Sequence, residues 1–540
     1  MKSPTTDDEP LGARLRTMRS RLAEADRSTI GLGLASAVVA FLVVSPMFWI
    51  VWEASTVDPS RAYDLVVSSR TASVTLNSIV LMALVTAFSI GLGVPLAVLT
   101  TRTDLPYPRF WTVVAALPLV IPSYIGAIAF VGMFGPGGEV DTLFGATVPR
   151  LDGLPGAVFI VTLYTYPYVF LTTRAALLSM DHSLVDAART LNAGSVETFR
   201  RVTLPQIRPG VAAGALLAAL YAISDFGTPA FMGADVFTST IYWQSRSFNV
   251  EYAALLALQL VAIVAVVLVI EAGIGRDEDA SGGPGSGTTA RLGNWKWPAM
   301  GFVSLLGAIT LVVPVAIFSN WYLRSEGDPI SSLEFQWTFA YNSVRLALLA
   351  ALVACLFALP VAYFSARSNS VVSRVFERAT YVGFAVPGVV IGLALVFLGT
   401  RTFPSLYRQG VWLLVFAYVV RFLPQAVGTV RSSVLQVDES TIEAARTLNA
   451  GRLETFRRVT LPLIAPGVVV GGILVFLTTM KELPVTLMLG PVGMDTLVII
   501  IWDAQDALAY RYAAVPALLL IVISGLSMLV LLRQEGRGFS

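Results

Sequence analysis

Two carboxylates, Asp225 and Glu482, interrupt apolar stretches at equivalent places in the two halves of this 540-residue chain. A carboxylate in a membrane span is costly unless it faces water, a partner or a transport route, and two across a symmetry axis would form an acidic ring attractive to a cation. Other readings stay open: Glu482 can pair with Lys481 or Arg421, and Asp225 can cap a broken helix above Gly227 and Pro229. Arg421, in VVRFLPQ, stands opposite Tyr164 in the first half, so it either lines the route or neutralises Glu482. Pro122 and Pro387 are also equivalent, and should kink their helices, shaping a gate or merely packing. One histidine (His182) and one cysteine (Cys355) exclude a histidine-based metal cluster and an intramolecular disulfide, so no resident metal is expected. No nucleophile–base constellation is present. A nucleotide-binding loop needs a Gly-rich G-x-x-x-x-G-K-[ST] run, and Lys2, Lys296 and Lys481 are the only lysines, none so placed.

The elements that must position these residues are membrane helices. Of the residues 55% are hydrophobic and 13% charged, with mean hydropathy +0.73. That excludes a disordered chain and an ordinary soluble enzyme, and the near balance of 37 basic and 35 acidic residues leaves no field to recruit nucleic acid. A bilayer core of about 30 Å takes about 20 apolar residues per helix. Twelve stretches qualify: 29–52, 74–100, 110–133, 156–177, 209–232 and 253–274, then 298–320, 341–364, 379–399, 411–433, 466–489 and 512–532. The first is not read as a cleaved signal peptide, because its leading segment is long and no A-x-A site follows. Helical rise from Pro209 places Asp225 about 24 Å along, in the outer half of the bilayer.

Lys and Arg are roughly threefold richer in the loops of one face, which predicts that both termini are cytoplasmic. The expected organisation is a cytoplasmic tail (1–28), a first half (29–274, core 73–274), a Gly/Ser-rich linker (275–297) and a second half (298–540, core 338–533).

The halves are copies. DAARTLNAGSVETFRRVTLPQIRPG (186–210) and EAARTLNAGRLETFRRVTLPLIAPG (443–467) are identical at 20 of 25 positions. Asn77-Ser78 matches Asn342-Ser343, IPSYIGAIAF (121–130) matches VPGVVIGLAL (386–395), and FMG (231–233) matches MLG (488–490). The offset changes by eight through a longer loop after the third span. Six spans per copy give the copies the same orientation, with an axis along the membrane normal and a route between them. Each repeated loop reads as helix, turn, helix, the turn falling at Gly194 or Gly451 and the end at Pro205 or Pro462. An amphipathic anchor on lipid headgroups is the plain alternative, but lipid does not demand such detailed identity, whereas a symmetric partner docking twice does.

This segment resembles the EAA loop of bacterial and archaeal binding-protein-dependent ABC importers. Glu443-Ala444-Ala445 with Gly451 keeps that pattern, and Asp186-Ala187-Ala188 with Gly194 departs only by Asp for Glu. The resemblance implies an all-α polytopic fold of the type I importer permeases (MetI-like), as two parallel six-helix repeats in a prokaryotic plasma membrane. It implies that the loops dock two copies of an ABC ATPase, which carry the ATP and Mg, and that an extracytoplasmic binding protein delivers substrate. The chain itself would hold no cofactor and perform no catalysis. ISDFGTPAFMG (223–233), TMKELPVTLMLG (479–490), LPLVIPSYIGA (117–127) and YTYPYVFLTTRAAL (164–177) resemble the fused ferric-iron permeases, with thiamine or another small cation as alternative cargo. A major facilitator shares twelve spans in two parallel repeats, but its basic loop after the second span is missing, since that segment reads TTRTDLPYPRF.

Overall fold

The computed structural model describes residues 11–135, 138–140, 151–180, 183, 188, 190, 194–274, 290–324, 334–368, 370–447 and 451–537. The principal helices of the first half are α1 (Leu11–Ser55), α2 (Pro59–Val66), α3 (Ser69–Arg102), α4 (Pro108–Ala116), α5 (Ser123–Phe134), α6 (Gly153–Ser179), α7 (Leu204–Ser224), α8 (Gly227–Met232), α9 (Phe237–Arg246) and α10 (Val250–Ile274). The second half has α11 (Lys296–Gly307), α12 (Val313–Leu323), α13 (Trp337–Arg367), α14 (Val371–Ala385), α15 (Gly388–Thr402), α16 (Val411–Leu435), α17 (Glu439–Thr447), α18 (Leu461–Met480), α19 (Pro484–Leu489), α20 (Leu497–Asp506) and α21 (Ala514–Arg537). From α3 and α13 onward the halves repeat each other, except that α17's counterpart lies largely outside the described residues. No named strand occurs among the described residues; one isolated bridge joins Thr103 to Ala290.

Nine helices are long and apolar enough to cross a membrane among the described residues, or eleven when two bent pairs count as one span each. The twelfth expected span, 512–532, falls on α21 and the 3-10 turn before it, which together form a shorter apolar helix over Tyr510–Leu526. Large apolar side chains such as Phe41, Phe88, Val269 and Leu352 are exposed on the helix surfaces, as lipid-facing positions require. The chain is a multi-pass membrane protein.

Two expectations need correcting. The third and ninth spans are broken rather than kinked: the chain turns by 86° between 108–120 and 123–134, and by 102° between 371–385 and 388–402. Pro122 and Pro387 stand at those breaks with extended ψ of 136° and 142°, so the helix on either side loses its continuous ladder. The fifth and eleventh spans end early, at Ser224 and Met480, and the residues assigned to their tips form α8 and α19.

Close packing follows from glycine pairs that the sequence repeats. Gly210 and Gly214 on α7, and Gly467 and Gly471 on α18, form G-x-x-x-G faces, a spacing that lets membrane helices approach closely. A Cβ on Gly214 would lie 2.6 Å from Cα of Val169 on α6, and one on Gly471 3.0 Å from Cα of Ala426 on α16. Each half thus clamps its fifth long helix against its fourth.

The leading helix of each half packs on the other half. Helix α1 lies against α13, α14, α15 and α16, and α11 and α12 lie against α4 and α5. Ion pairs mark both exchanges: Arg401 Nη2 on α15 is 3.0 Å from Glu53 Oε1 on α1, and Arg324 Nη1 beyond α12 is 3.1 Å from Glu139 Oε2. The expected linker lies outside the described residues over 275–289. Beyond it the chain is tied to the first half, since Asp104 accepts the Leu292 amide at 2.7 Å and pairs with Lys296 Nζ at 3.0 Å. These contacts hold the Asp104 carboxyl below the usual carboxylate range, the Leu292 amide contributing most.

Candidate functional site

Breaking a helix frees carbonyls at its C-terminal end, and these need donors. The second half supplies both sets. Arg421 Nη1 donates to the Val386 carbonyl at 3.1 Å, just before the break at Pro387. Lys481 Nζ crosses to the first half and donates to the Leu119 carbonyl at 3.3 Å, just before the break at Pro122. Both cations therefore sit at the negative ends of interrupted helices.

The acids beside these breaks are held differently. Arg421 Nε donates to Glu482 Oε2 at 3.0 Å, with both side chains largely buried. Of the readings left open by the sequence, the one that pairs Glu482 with Arg421 is therefore the one found. Its other oxygen, Oε1, is buried, and the Val485 amide at the start of α19 flanks the carboxylate. Asp225 takes no cation among the described residues. Ser123 Oγ, at the first turn of α5, donates to Asp225 Oδ2 at 3.0 Å and meets the Tyr221 hydroxyl at 3.0 Å, while Gly227 and Thr228 at the start of α8 flank the carboxylate. Position 123 corresponds to Gly388. A Cβ on Gly388 would stand 2.5 Å from Glu482 Oε1 and 3.0 Å from the Arg421 guanidinium carbon, so a serine there would collide with the ion pair. The first half replaces arginine by Tyr164, whose hydroxyl donates to the Thr310 carbonyl at 3.1 Å, and glycine by Ser123, which takes over the carboxylate.

Farther from the repeated loops, aromatic rings close the space between the halves. Trp502 on α20 packs within 5.3 to 5.9 Å, centroid to centroid, of Phe226, Phe231, Tyr242 and Trp243 of the first half. Tyr242 and Trp502 are repeat equivalents, each the sixth residue of its helix, α9 and α20. Equivalent residues in contact lie on the pseudo-twofold axis. The two helices are aimed by the same device: Asn77 Nδ2 donates to the Asp235 carbonyl (3.0 Å) and Asn342 Nδ2 to that of Asp495 (2.9 Å), while Ser78 and Ser343 Oγ accept the Phe237 and Leu497 amides, each at 2.9 Å.

On the opposite face, Glu443 and Ala444 of α17 are exposed, Ala445 is partly so, and Ala188 is likewise partly exposed. Asp186 and Ala187 lie outside the described residues, as does His182. Gly194 and Gly451 are exposed, and a Cβ on either would meet nothing within 4 Å. Each starts the next helical turn, accepting the Thr198 amide (2.9 Å) or the Thr455 amide (2.8 Å), while the residues just before them, where the preceding helix was expected to end, lie outside the described residues. The following FRRVT segments are single π turns in both copies, and Glu197–Arg201 (3.1 Å) and Glu454–Arg458 (3.0 Å) are matching exposed ion pairs.

The structure thus brings Asp225, Glu482, Arg421, Lys481, Pro122 and Pro387 into one layer between the halves and leaves the repeated loops at one membrane face. Ser123 and Trp502 were missed. Ser123 lies inside the matched segment 121–130, and its position directly after Pro122 was the available signal.

Two stretches, 89–275 and 358–537, match the family model described as the binding-protein-dependent transport system inner membrane component. Fe(3+)-transport system permease protein FbpB 2 of Haemophilus influenzae is 29% identical, over 94% of this chain and 98% of that protein. The ferric transport system permease protein FbpB of Actinobacillus pleuropneumoniae is 24% identical over 83% of this chain and 69% of its own length. The molybdate/tungstate transport system permease protein WtpB of Pyrococcus furiosus is 30% identical, over 36% of this chain and 73% of its own length.

Proposed function

The chain belongs to the binding-protein-dependent transport system inner membrane component family, which matches it twice, and from that premise we propose that it forms the whole translocation pathway of an ATP-driven importer of ferric iron. The observation that carries the cargo is the extent of likeness. A permease named for Fe(3+) transport aligns along 94% of the chain, whereas the molybdate/tungstate permease aligns with 36% of it.

The two repeated loops lie in the cytoplasm, together with both termini, and each receives one ABC ATPase subunit on a separate polypeptide. ATP and Mg are bound there, and this chain has no catalytic residue of its own. Asp186, Ala187, Ala188 and Gly194 in one loop, and Glu443, Ala444, Ala445 and Gly451 in the other, form the docking surface. An extracytoplasmic binding protein presents iron at the face closed by Trp502. ATPase closure separates the halves along the axis through Tyr242 and Trp502, iron enters past Asp225 and Glu482, and reopening releases it inside. Arg421 and Lys481 keep the broken helices of the route intact, and Pro122 and Pro387 set the breaks. The organisation is a tail (1–28), two permease halves (29–274 and 298–540) and a linker (275–297) in a prokaryotic plasma membrane.

Uptake of radiolabelled ferric ion under iron limitation tests this reading. A strain lacking the gene should lose high-affinity uptake and regain it with the intact chain. Unchanged uptake in the deletion strain would reject iron as cargo.

A further inference from the structure

Helices α3 and α13 join the repeated loops to the aromatic contact on the axis. Each runs unbroken through one proline, Pro95 or Pro360, and packs on the two helices that flank a repeated loop: α3 on α6 and α7, α13 on α16 and α18. Near one end they carry Asn77-Ser78 and Asn342-Ser343, which aim α9 and α20 and so place Tyr242 and Trp502. The other end carries a second matched pair. PLAVLTTR (95–102) and PVAYFSAR (360–367) close on Arg102 and Arg367, the last residues of α3 and α13.

Both arginines make the same bond. Arg102 Nη2 donates to the Leu177 carbonyl at 2.5 Å, and Arg367 Nη2 to the Val434 carbonyl at 3.4 Å. Leu177 and Val434 are repeat equivalents in the last turns of α6 and α16, where helical carbonyls lack an internal donor and a cation is favoured. Arg367 Nη2 also donates to the Val437 carbonyl at 2.8 Å, two residues before α17 begins, so it spans the elbow into the second loop. The exit of that loop is held as well. The Tyr363 ring, one turn before Arg367, meets Phe456 of the FRRVT turn edge-on, with centroids 5.9 Å apart. Asn77 and Arg102 stand 25 residues apart, as do Asn342 and Arg367. That is about 37 Å of helix, enough to cross a bilayer core.

We propose that α3 and α13 are rods that carry movement of the repeated loops to the axial contact, with Arg102 and Arg367 as the positioning residues that grip the helix entering each loop. Close-packed elements move as bodies rather than deform. A loop displaced by its ATPase draws the end of α6 or α16 with it. The arginine passes that displacement to the rod, and the Asn-Ser pair passes it to α9 or α20. This rests on the docking role given to the loops above and not on the cargo.

The test uses the transporter assembled with its ATPase, carrying Tyr242→Cys and Trp502→Cys in the Cys355→Ala background. The rate at which this pair loses its cross-link after ATP and vanadate are added reads the coupling without any cargo. Arg102→Gln/Arg367→Gln cuts the rods from the loops, and Ser78→Ala/Ser343→Ala cuts them from the axial helices. Each cut should slow the loss at least tenfold, while ATP hydrolysis keeps at least half the parent's rate. Made together, the cuts should be no more than twofold slower than one alone, because they sever one path, whereas independent damage would multiply toward a hundredfold. The serine variants lose only a hydroxyl each, so they test the rods even where the arginine variants fail to assemble. Loss at the parent's rate in either cut, or effects that multiply, would overturn the rods. A parent chain that captures no ATPase would reject the docking reading, and the rods with it.

Discussion

Arg421 reaches Glu482 within its own half at 3.0 Å, while its repeat equivalent Tyr164 turns away from Asp225 and donates to Thr310 of the other half. The duplicated acids have therefore been divided between two tasks. One is tied into an ion pair beside a broken helix, and the other is held by the Ser123 hydroxyl with no cation against it among the described residues.

The first prediction concerns that pair. Truncating Arg421 alone leaves Glu482 buried without its cation, and such losses cost about 3–5 kcal/mol. Arg421→Met should lower the midpoint of thermal unfolding far more than the double variant Arg421→Met/Glu482→Met, in which no charge is stranded. Equal midpoints in the single and double variants would mean that the pair carries no coupling.

The crossed leading helices give the second. Glu53 is 4% exposed and pairs with Arg401 across the exchange, and the reciprocal exchange pairs Arg324 with Glu139, the acid and base having traded sides. Arg401→Glu should destabilise by about 1–3 kcal/mol by placing a second negative charge against Glu53. Adding Glu53→Arg should recover much of the loss. Scanning fluorimetry on the purified protein measures both steps.

How much of this was readable beforehand depended on distance along the chain. The repeat, the exposed loops and the acids in apolar runs are local patterns, and each was legible. Asn77-Ser78 and Asn342-Ser343 were visible as a matched pair, although only the structure explains them, as the pins that aim α9 and α20. The helix exchange was not legible. Glu53 and Arg401 lie 348 positions apart, and an apolar helix reads the same whether it faces lipid, its own half or the other half. The full breaks at Pro122 and Pro387 were read only as kinks, because a proline shows that a ladder is interrupted but not by what angle. The angle is fixed by donors from elsewhere, Arg421 and Lys481.

Closure on the axis is the third prediction. Tyr242 and Trp502 meet with ring centroids 5.3 Å apart, and separation of the halves must part them. With the native Cys355 replaced by alanine, Tyr242→Cys and Trp502→Cys should cross-link with a short bifunctional reagent in the nucleotide-free protein. Trapping the assembled transporter with ATP and vanadate should abolish the cross-link. Equal yield in both states would show that this contact is not the closure.

Asp104 gives the fourth, with its sign set by the lowered carboxyl. A carboxylate held below its ordinary value stabilises at pH above that ordinary value, about 3.9, and the contribution is lost as pH falls through the lowered one. The clasp to Leu292 and Lys296 should therefore be constant between pH 5 and 8 and open only in stronger acid. Hydrogen exchange at the Leu292 amide, corrected for its intrinsic rate, should be flat over that range in the intact protein. Asp104→Asn, which removes the charge at every pH, should accelerate it throughout.

The repeated loops supply the last. Gly194 and Gly451 stand exposed and would offer an added Cβ no contact within 4 Å. No packing contact among the described residues therefore demands glycine at either place, yet both copies keep it. The docking role proposed for these loops accounts for it, through a partner surface that approaches closer than a side chain would permit. Replacing both glycines by valine should leave the folding stability within about 0.5 kcal/mol of the parent, as for surface sites without special contacts. The same double variant should lose ATPase co-purification and uptake together, and each single variant should lose less than both. A matching fall in thermal stability would move the cause into the chain itself and remove the glycines from the docking surface.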